Sequence, residues 1–201
     1  MDNKKSLLFF LIFFLSINIV EAIGESGISG TNKKLPIIEN HGGDFKLTGP
    51  DRNEVSSFNF RGKVLLINFG YTYCPDVCPM TLTHLKKVMI DLDIISKNVQ
   101  VIFISIDPER DTPEKLKEYV PYFYSTFIGL TGSVKDVTVV AKKYGIHFFK
   151  QKVESELNYF LAHMEGVFLI DQNGFYRGRY KTDQDLERLV TDIRWLIESE
   201  S

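Results

Sequence analysis

Two cysteines stand four residues apart in the stretch Tyr71-Thr72-Tyr73-Cys74-Pro75-Asp76-Val77-Cys78-Pro79-Met80, and they are the only cysteines of the chain. Thiols so spaced can do three kinds of chemistry. They can close a structural disulfide, because residues four apart on a turn sit about 6 Å apart, inside the usual α-carbon range. They can act as a redox couple that exchanges with a disulfide elsewhere. With a further ligand they can hold a soft metal ion, since thiolates select soft cations. A bridge here would close a very small loop, which in the chain-entropy model contributes less than one joining distant segments. At 44% hydrophobic residues the chain can build a core without staples.

A metal reading needs more than two sulfurs, and the chain has four histidines: His41, His84, His147 and His163. His41 lies in a Gly-rich N-terminal piece. His84 falls within the helix after the cysteine loop and faces away from it. His147 follows a helix stop at Gly145, on a segment with no expected approach to the loop. His163 immediately precedes an apolar strand that should lie beside residues 64–69, which puts it across from the cysteines. Two thiolates and one imidazole make a soft, low-coordinate set that suits Cu(I), and imidazole also suits Cu(II). Structural zinc would want a fourth protein ligand. Asp76 is the candidate, awkwardly placed between the cysteines, and a catalytic zinc with bound water remains compatible with the count. Met80 and Met164 offer thioethers that read first as core or lining. Tyr71 and Tyr73 flank the loop as shield or as ordinary core.

The bulk properties exclude other classes. Lys plus Arg is 24 against 26 Asp plus Glu, a net charge near −2, so the basic footprint of a nucleic-acid binder is missing. There is no second Cys/His pair of a zinc finger. At the N-terminus Lys4 and Lys5 precede residues 7–20, in which only Ser16 and Asn18 are polar. A basic start and an apolar stretch read as an export leader. As a helix these residues span about 21 Å, short of a hydrocarbon core of about 30 Å. Residues 1–22 are thus either a signal peptide, cut near Val20-Glu21-Ala22, or a retained membrane anchor, and either way the remainder is exported. Outside the cytoplasm an idle thiol pair oxidises, which raises the stakes for Cys74 and Cys78. Residues 23–34, Gly- and Ser-rich without an apolar period, read as a flexible tether, and residues 35–201 as one domain.

Buried strands and helices alternate along that domain. Residues 42–63 break into short strand-like pieces around Gly49-Pro50, a hairpin or meander. Residues 64–69 and 99–106 are continuous apolar runs, strands covered on both faces. Between them lies the cysteine loop, expected as one turn from Pro75 to Cys78 and a fresh helix start at Pro79, with an apolar stripe from Leu82 to Ile95. Asp111-Thr112-Pro113-Glu114 caps a helix to about Tyr119. Residues 127–130 are a short strand. Ser133 caps a helix that Gly145 stops. Strands at 164–170 and 175–180 join through Asp-Gln-Asn-Gly, and an amphipathic helix closes the chain over 183–199. The order β-α-β-α-(β)-α-β-β-α predicts an α/β, thioredoxin-like single domain, a central mixed sheet flanked by helices. Dithiol oxidoreductases of that fold use Cys-x-x-Cys and a cis-proline before the last hairpin. Here three residues intervene, and the corresponding stretch, NYFLAHMEGVFLID, has His163 and no proline.

Three stretches together resemble the SCO family: YTYCPDVCP, ISIDPERDTPEKL at 104–116, and FLAHMEGVFLID with its late histidine. These are copper-binding, thioredoxin-like proteins that assist assembly of cytochrome c oxidase. The resemblance covers about residues 36–199 and extends to the membrane-directed N-terminus. It implies copper ligands at Cys74, Cys78 and His163, with Cu(I) and Cu(II) as the ion. It implies an exported metallochaperone, periplasmic or membrane-anchored facing the periplasm, or in the mitochondrial intermembrane space. Such a protein delivers copper to the dinuclear copper centre of the oxidase's copper-bearing subunit, or prepares that centre's cysteines. Its other partners would be a copper donor protein or a thiol reductant. The competing reading is an enzyme, a thiol–disulfide reductase or a peroxide-reducing thiol enzyme, with Cys74 or Cys78 as nucleophile. The DPERDTPE stretch is a capped helix with charged turns, or a partner surface. One departure stands out: the family commonly carries Asp before the histidine, and here the residue is Ala162. A ligating imidazole needs a partner to orient its ring, so another group must serve. Glu165 would share the face of His163 only in a regular strand.

Overall fold

The computed structural model describes residues 35–155 and 158–199, so the leader and tether expected over 1–22 and 23–34 lie outside the described residues. The two continuous apolar runs form the middle of the sheet. After a short hairpin of β1 (Lys46–Thr48) and β2 (Glu54–Ser56), β3 (Val64–Gly70) leads into α1 (Val77–Leu92) and β4 (Val99–Ser105). There follow α2 (Pro113–Phe123), β5 (Ile128–Leu130) and α3 (Val134–Lys143). A second hairpin, β6 (Phe148–Ser155) and β7 (Asn158–His163), precedes β8 (Val167–Ile170), β9 (Tyr176–Tyr180) and α4 (Leu186–Ser199). Five strands make one mixed sheet in the order β5-β4-β3-β8-β9, with β3 parallel to β4 and antiparallel to β8. All seven residues of β3 and all seven of β4 are buried, as both-face coverage requires.

Alternation along β3 sorts its side chains. Phe69 goes to the side of Tyr144, which closes α3, and packs T-shaped on Phe168. Gly70 faces the other side, against Phe103 and α1. The expected caps are in place: the Thr112 hydroxyl accepts from the Lys115 N–H and the Ser133 hydroxyl from the Asp136 N–H. In the β8–β9 turn the Asp171 carboxylate accepts from the N–H groups of Asn173 and Phe175, and Gly174 takes φ +87.

Three expectations change. The helix after the cysteines begins at Val77, not after Pro79, so Cys78 and Pro79 lie in its first turn. The missing N–H of Pro79 falls among donors that have no partner inside the helix in any case, and no bond is lost. The strand expected from Met164 begins at Val167, because Gly166 takes φ +136 and breaks the extension. The hairpin of β6 and β7 has no counterpart in the expected order. It forms its own two-stranded sheet, and among the described residues no backbone ladder joins it to the five-stranded sheet. A ribbon covered on one side lacks the unbroken aliphatic run that marks β3 and β4.

The loops after β3 and β4 are tied by one buried acid. Asp111 is fully buried and accepts from the Thr72 N–H at 2.9 Å, the Thr72 hydroxyl at 2.5 Å and the Ser105 hydroxyl at 2.7 Å. The Lys115 ammonium stands 3.5 Å away. Asp111→Ala strands these donors without an acceptor. It is expected to lower the unfolding free energy by about 2–4 kcal/mol, read as a shift of the urea midpoint at unchanged slope.

Candidate metal centre

β3 delivers the chain to the cysteine turn, where the Cys74 N–H donates to the Tyr71 carbonyl at 3.2 Å. Asp76 is the N-cap of α1, yet its carboxylate makes no cap bond. The sulfur of Cys74 takes that place and accepts from the Cys78 N–H at 3.5 Å. The two cysteines are unbridged, Cys74 half-buried and Cys78 2% exposed. Their protons are unequally shared. The Cys78 thiol donates to Cys74, and against the cost of burial the backbone N–H groups of Asp76 and Cys78 add to it, with a smaller contribution from the charge of His163. Together they pull Cys74 from 9.0 down to about 5. Cys78 moves the other way, because its proton is engaged by Cys74, burial disfavours its charge, and the neighbouring thiolate repels a second one. Space for its sulfur depends on Gly70. A Cβ there would lie 2.9 Å from Cys78 Sγ and 2.7 Å from the Phe103 ring.

His163 ends β7, half-buried, with its ring edge-on to Tyr71 at 6.4 Å between centroids. Its Nδ1 lies 3.0 Å from the Met164 carbonyl, which can only accept. In the neutral ring the Nδ1–H therefore donates, and the lone pair falls on Nε2. This answers the question raised by Ala162. That residue pairs with Phe149 and points to the face opposite His163, while a backbone carbonyl orients the ring. Glu165 lies beyond the end of β7 in the irregular link, exposed, and its charge is among the influences that raise Cys78. The structure brings the two sulfurs together and sets His163 close enough for its charge to act on Cys74. Among the described residues no three His, Cys, Asp or Glu side chains are yet gathered closely enough to hold a metal ion.

The remaining candidates separate cleanly. His84 Nδ1 meets the Thr182 hydroxyl at 3.2 Å, away from the sulfurs. His41 is exposed, near the Glu39 carbonyl and the Tyr176 ring. His147 is exposed, but its segment does approach the site, because the next residue, Phe148, pairs with His163. Asp76 is exposed. Met80 and Met164 are exposed rather than core, Tyr71 is buried, and Tyr73 is exposed.

Sequence reasoning missed a second layer. Asp107, 2% exposed, accepts from Arg110 Nε at 2.5 Å and from the Tyr159 hydroxyl at 2.6 Å. Arg110 also donates to the Tyr159 carbonyl at 3.1 Å. The Leu161 N–H donates to the Tyr71 hydroxyl at 3.2 Å. DPERDTPE therefore does cap α2, and it also grips the hairpin that ends in His163. An acid and an arginine three apart just after a buried strand were the only signal.

A parallel three-stranded unit extended by an antiparallel hairpin, with a cysteine turn at the carboxyl end of its central strand, defines a thioredoxin-like protein. The sequence profile of the SCO1/SenC family matches residues 36–198. The copper-bound ScoI of Bradyrhizobium japonicum is similar in structure, with a TM-score of 0.71 and 32% identity over 78% of this chain and 99% of that one. Copper-bound yeast Sco1 gives 0.70 and 30% identity over 80% and 92%. A SCO2-like protein of Rickettsia conorii is 34% identical over 154 residues, 76% of this chain and 75% of its own. The chain belongs to the SCO1/SenC family.

Two outcomes follow from the geometry. Thiolate at Cys74 grows as pH rises through about 5, so alkylation there should climb to a plateau below neutrality, with Cys78 unreactive in the folded chain. The sign for stability is the same: the contribution of Cys74 is complete above the unfolded thiol's value and fades as pH falls toward about 5. Mass spectrometry after timed iodoacetamide pulses between pH 4 and 9 reads the midpoint. Gly70→Ala should destabilise the fold by about 1–3 kcal/mol and shift that midpoint upward, because it forces Cys78 Sγ away from its place.

Proposed function

We propose that this chain is an exported copper carrier that binds the ion as cargo through Cys74, Cys78 and His163. The observation that carries the reading is the state of the donors. Cys74 is thiolate near neutral pH, Cys78 stands beside it, and the imidazole keeps Nε2 free. Two sulfurs and one ring nitrogen suit Cu(I), and the nitrogen makes Cu(II) acceptable. The copper held by Bradyrhizobium ScoI and yeast Sco1 supports the same reading. Loading takes one proton from Cys78, since its thiol must ionise to ligate, and none from Cys74 at neutral pH. The side chains close on the ion as the His163 hairpin moves toward the turn. Release runs by ligand exchange: a thiolate of the acceptor enters as one ligand leaves. The acceptor we propose is the copper-bearing subunit of cytochrome c oxidase. A disulfide between Cys74 and Cys78 abolishes loading, so a thiol reductant must keep the pair reduced, and a copper donor protein then supplies the ion. Residues 1–22 direct export, as cleaved peptide or anchor, residues 23–34 form the tether, and residues 35–201 the working domain. The site of action is the periplasm or the mitochondrial intermembrane space, in keeping with the mitochondrial yeast relative named SCO2 and the family lipoprotein of Bacillus anthracis.

A second reading rests on the same low value of Cys74. A thiolate beside a protonated neighbouring thiol is also the arrangement of a disulfide reductase, nucleophile and resolving group. The two are separated by titrating the reduced chain with Cu(I) against a competing chelator, for the parent and for His163→Ala, and assaying disulfide reduction in both. The carrier reading expects the variant to lose more than about 100-fold in affinity with reduction slow in both. Unchanged affinity together with rapid reduction would replace it with the enzyme.

A further inference from the structure

The hairpin that carries His163 must be located by something other than the sheet. Among the described residues, β6 and β7 hydrogen-bond as a ladder to each other and not to the five-stranded sheet. What fixes their approach to the cysteine turn is a set of side-chain ties, and one cation is central to it. The Arg110 guanidinium carbon stands 3.6 Å from the centre of the Tyr159 ring and 4.7 Å from that of Tyr73. Tyr159 lies four residues before His163 on β7, and Tyr73 directly precedes Cys74. A single planar group thus contacts both halves of the candidate site.

We infer that Arg110 is a positioning residue: held by Asp107 and stacked on Tyr159 and Tyr73, it sets the approach of His163 to the two sulfurs. The inference rests on the reading of His163 as a ligand. Asp107 is too buried to stay unpaired, and its carboxylate is shared by Arg110 Nε and the Tyr159 hydroxyl. The Arg110 NH1 reaches past it to the Tyr159 carbonyl, so both ends of that residue are gripped. The remaining nitrogen, NH2, is buried and finds no acceptor among the described residues, and the rings of Tyr159 and Tyr73 lie beside the guanidinium. An aromatic face attracts a cation within about 6 Å. The outer tie, Lys150 to Glu109 at 2.5 Å, is exposed on both sides and contributes little by comparison. The geometry also separates arginine from lysine. An ammonium can neutralise Asp107, but it cannot at once donate to the Tyr159 carbonyl and lie flat on a ring. Tyr159, Leu161 and His163 alternate onto the same side of β7, so a shift at Tyr159 is passed along the strand to the imidazole.

Arg110→Lys keeps a charge beside Asp107 and is the variant of choice, with Tyr159→Phe as a milder second. In the metal-free, reduced chain, Arg110→Lys is expected to raise the amide exchange rate at Leu161 several-fold and leave β3 and β4 unchanged. Its Cu(I) affinity should fall about 10–100-fold in the parent background and not at all in His163→Ala. Tyr159→Phe should move the same readouts less. Unchanged exchange at Leu161 overturns the inference. So does an equal affinity loss in the His163→Ala background, because it marks a general structural role. Should His163→Ala bind Cu(I) as tightly as the parent while Leu161 exchange responds as expected, the ligand reading of His163 falls and the positioning of the hairpin stands.

Discussion

One proton held between two sulfurs at the first turn of α1 is the interaction on which the rest depends. A helix start leaves backbone donors without partners, and here the usual remedy is not used: the Asp76 carboxylate makes no cap bond, and Cys74 Sγ accepts instead. The helix thereby stabilises a thiolate, and Cys78 keeps the proton it lends to its neighbour. Residues packed around the turn set this geometry. Gly70 leaves room for the second sulfur, Pro79 sits in the helix's first turn without wasting a donor, and Asp111 fastens the loop through Thr72 to the end of β4.

The proposed third ligand, His163, is mounted differently. His163 sits on a ribbon that stands outside the main sheet and is joined to it through side chains, chiefly Asp107, Arg110, Tyr159 and Tyr71. On the carrier reading proposed above, two sulfurs on one turn and an imidazole on a separately tied arm would let an incoming thiolate displace one ligand at a time.

Much of this was legible in the chain and some of it was not, for physical reasons. The continuous runs at 64–69 and 99–106 announced strands buried on both faces, and Thr112, Ser133 and Gly145 marked helix ends through local chemistry. The cysteine pair and His163 stood out by residue type. The hairpin over 148–163 did not, since a ribbon packed on one side has no distinctive pattern. The role of DPERDTPE was half visible: its cap is local, but the bond from Tyr159 to Asp107 spans 52 positions and nothing in either segment points to the other. Ala162 reads as a defect only if neighbours in sequence are neighbours in space. On a strand the adjacent residue faces away, and the carbonyl of Met164 does the orienting.

The central claim is that the two sulfurs and the imidazole of residue 163 share one ion, and X-ray absorption at the copper edge tests it most directly. The reduced chain loaded with one equivalent of Cu(I) should give a first coordination shell of two sulfurs and one nitrogen, with the multiple-scattering pattern of an imidazole that disappears in His163→Ala. A shell of sulfur alone, identical in parent and variant, would contradict the account.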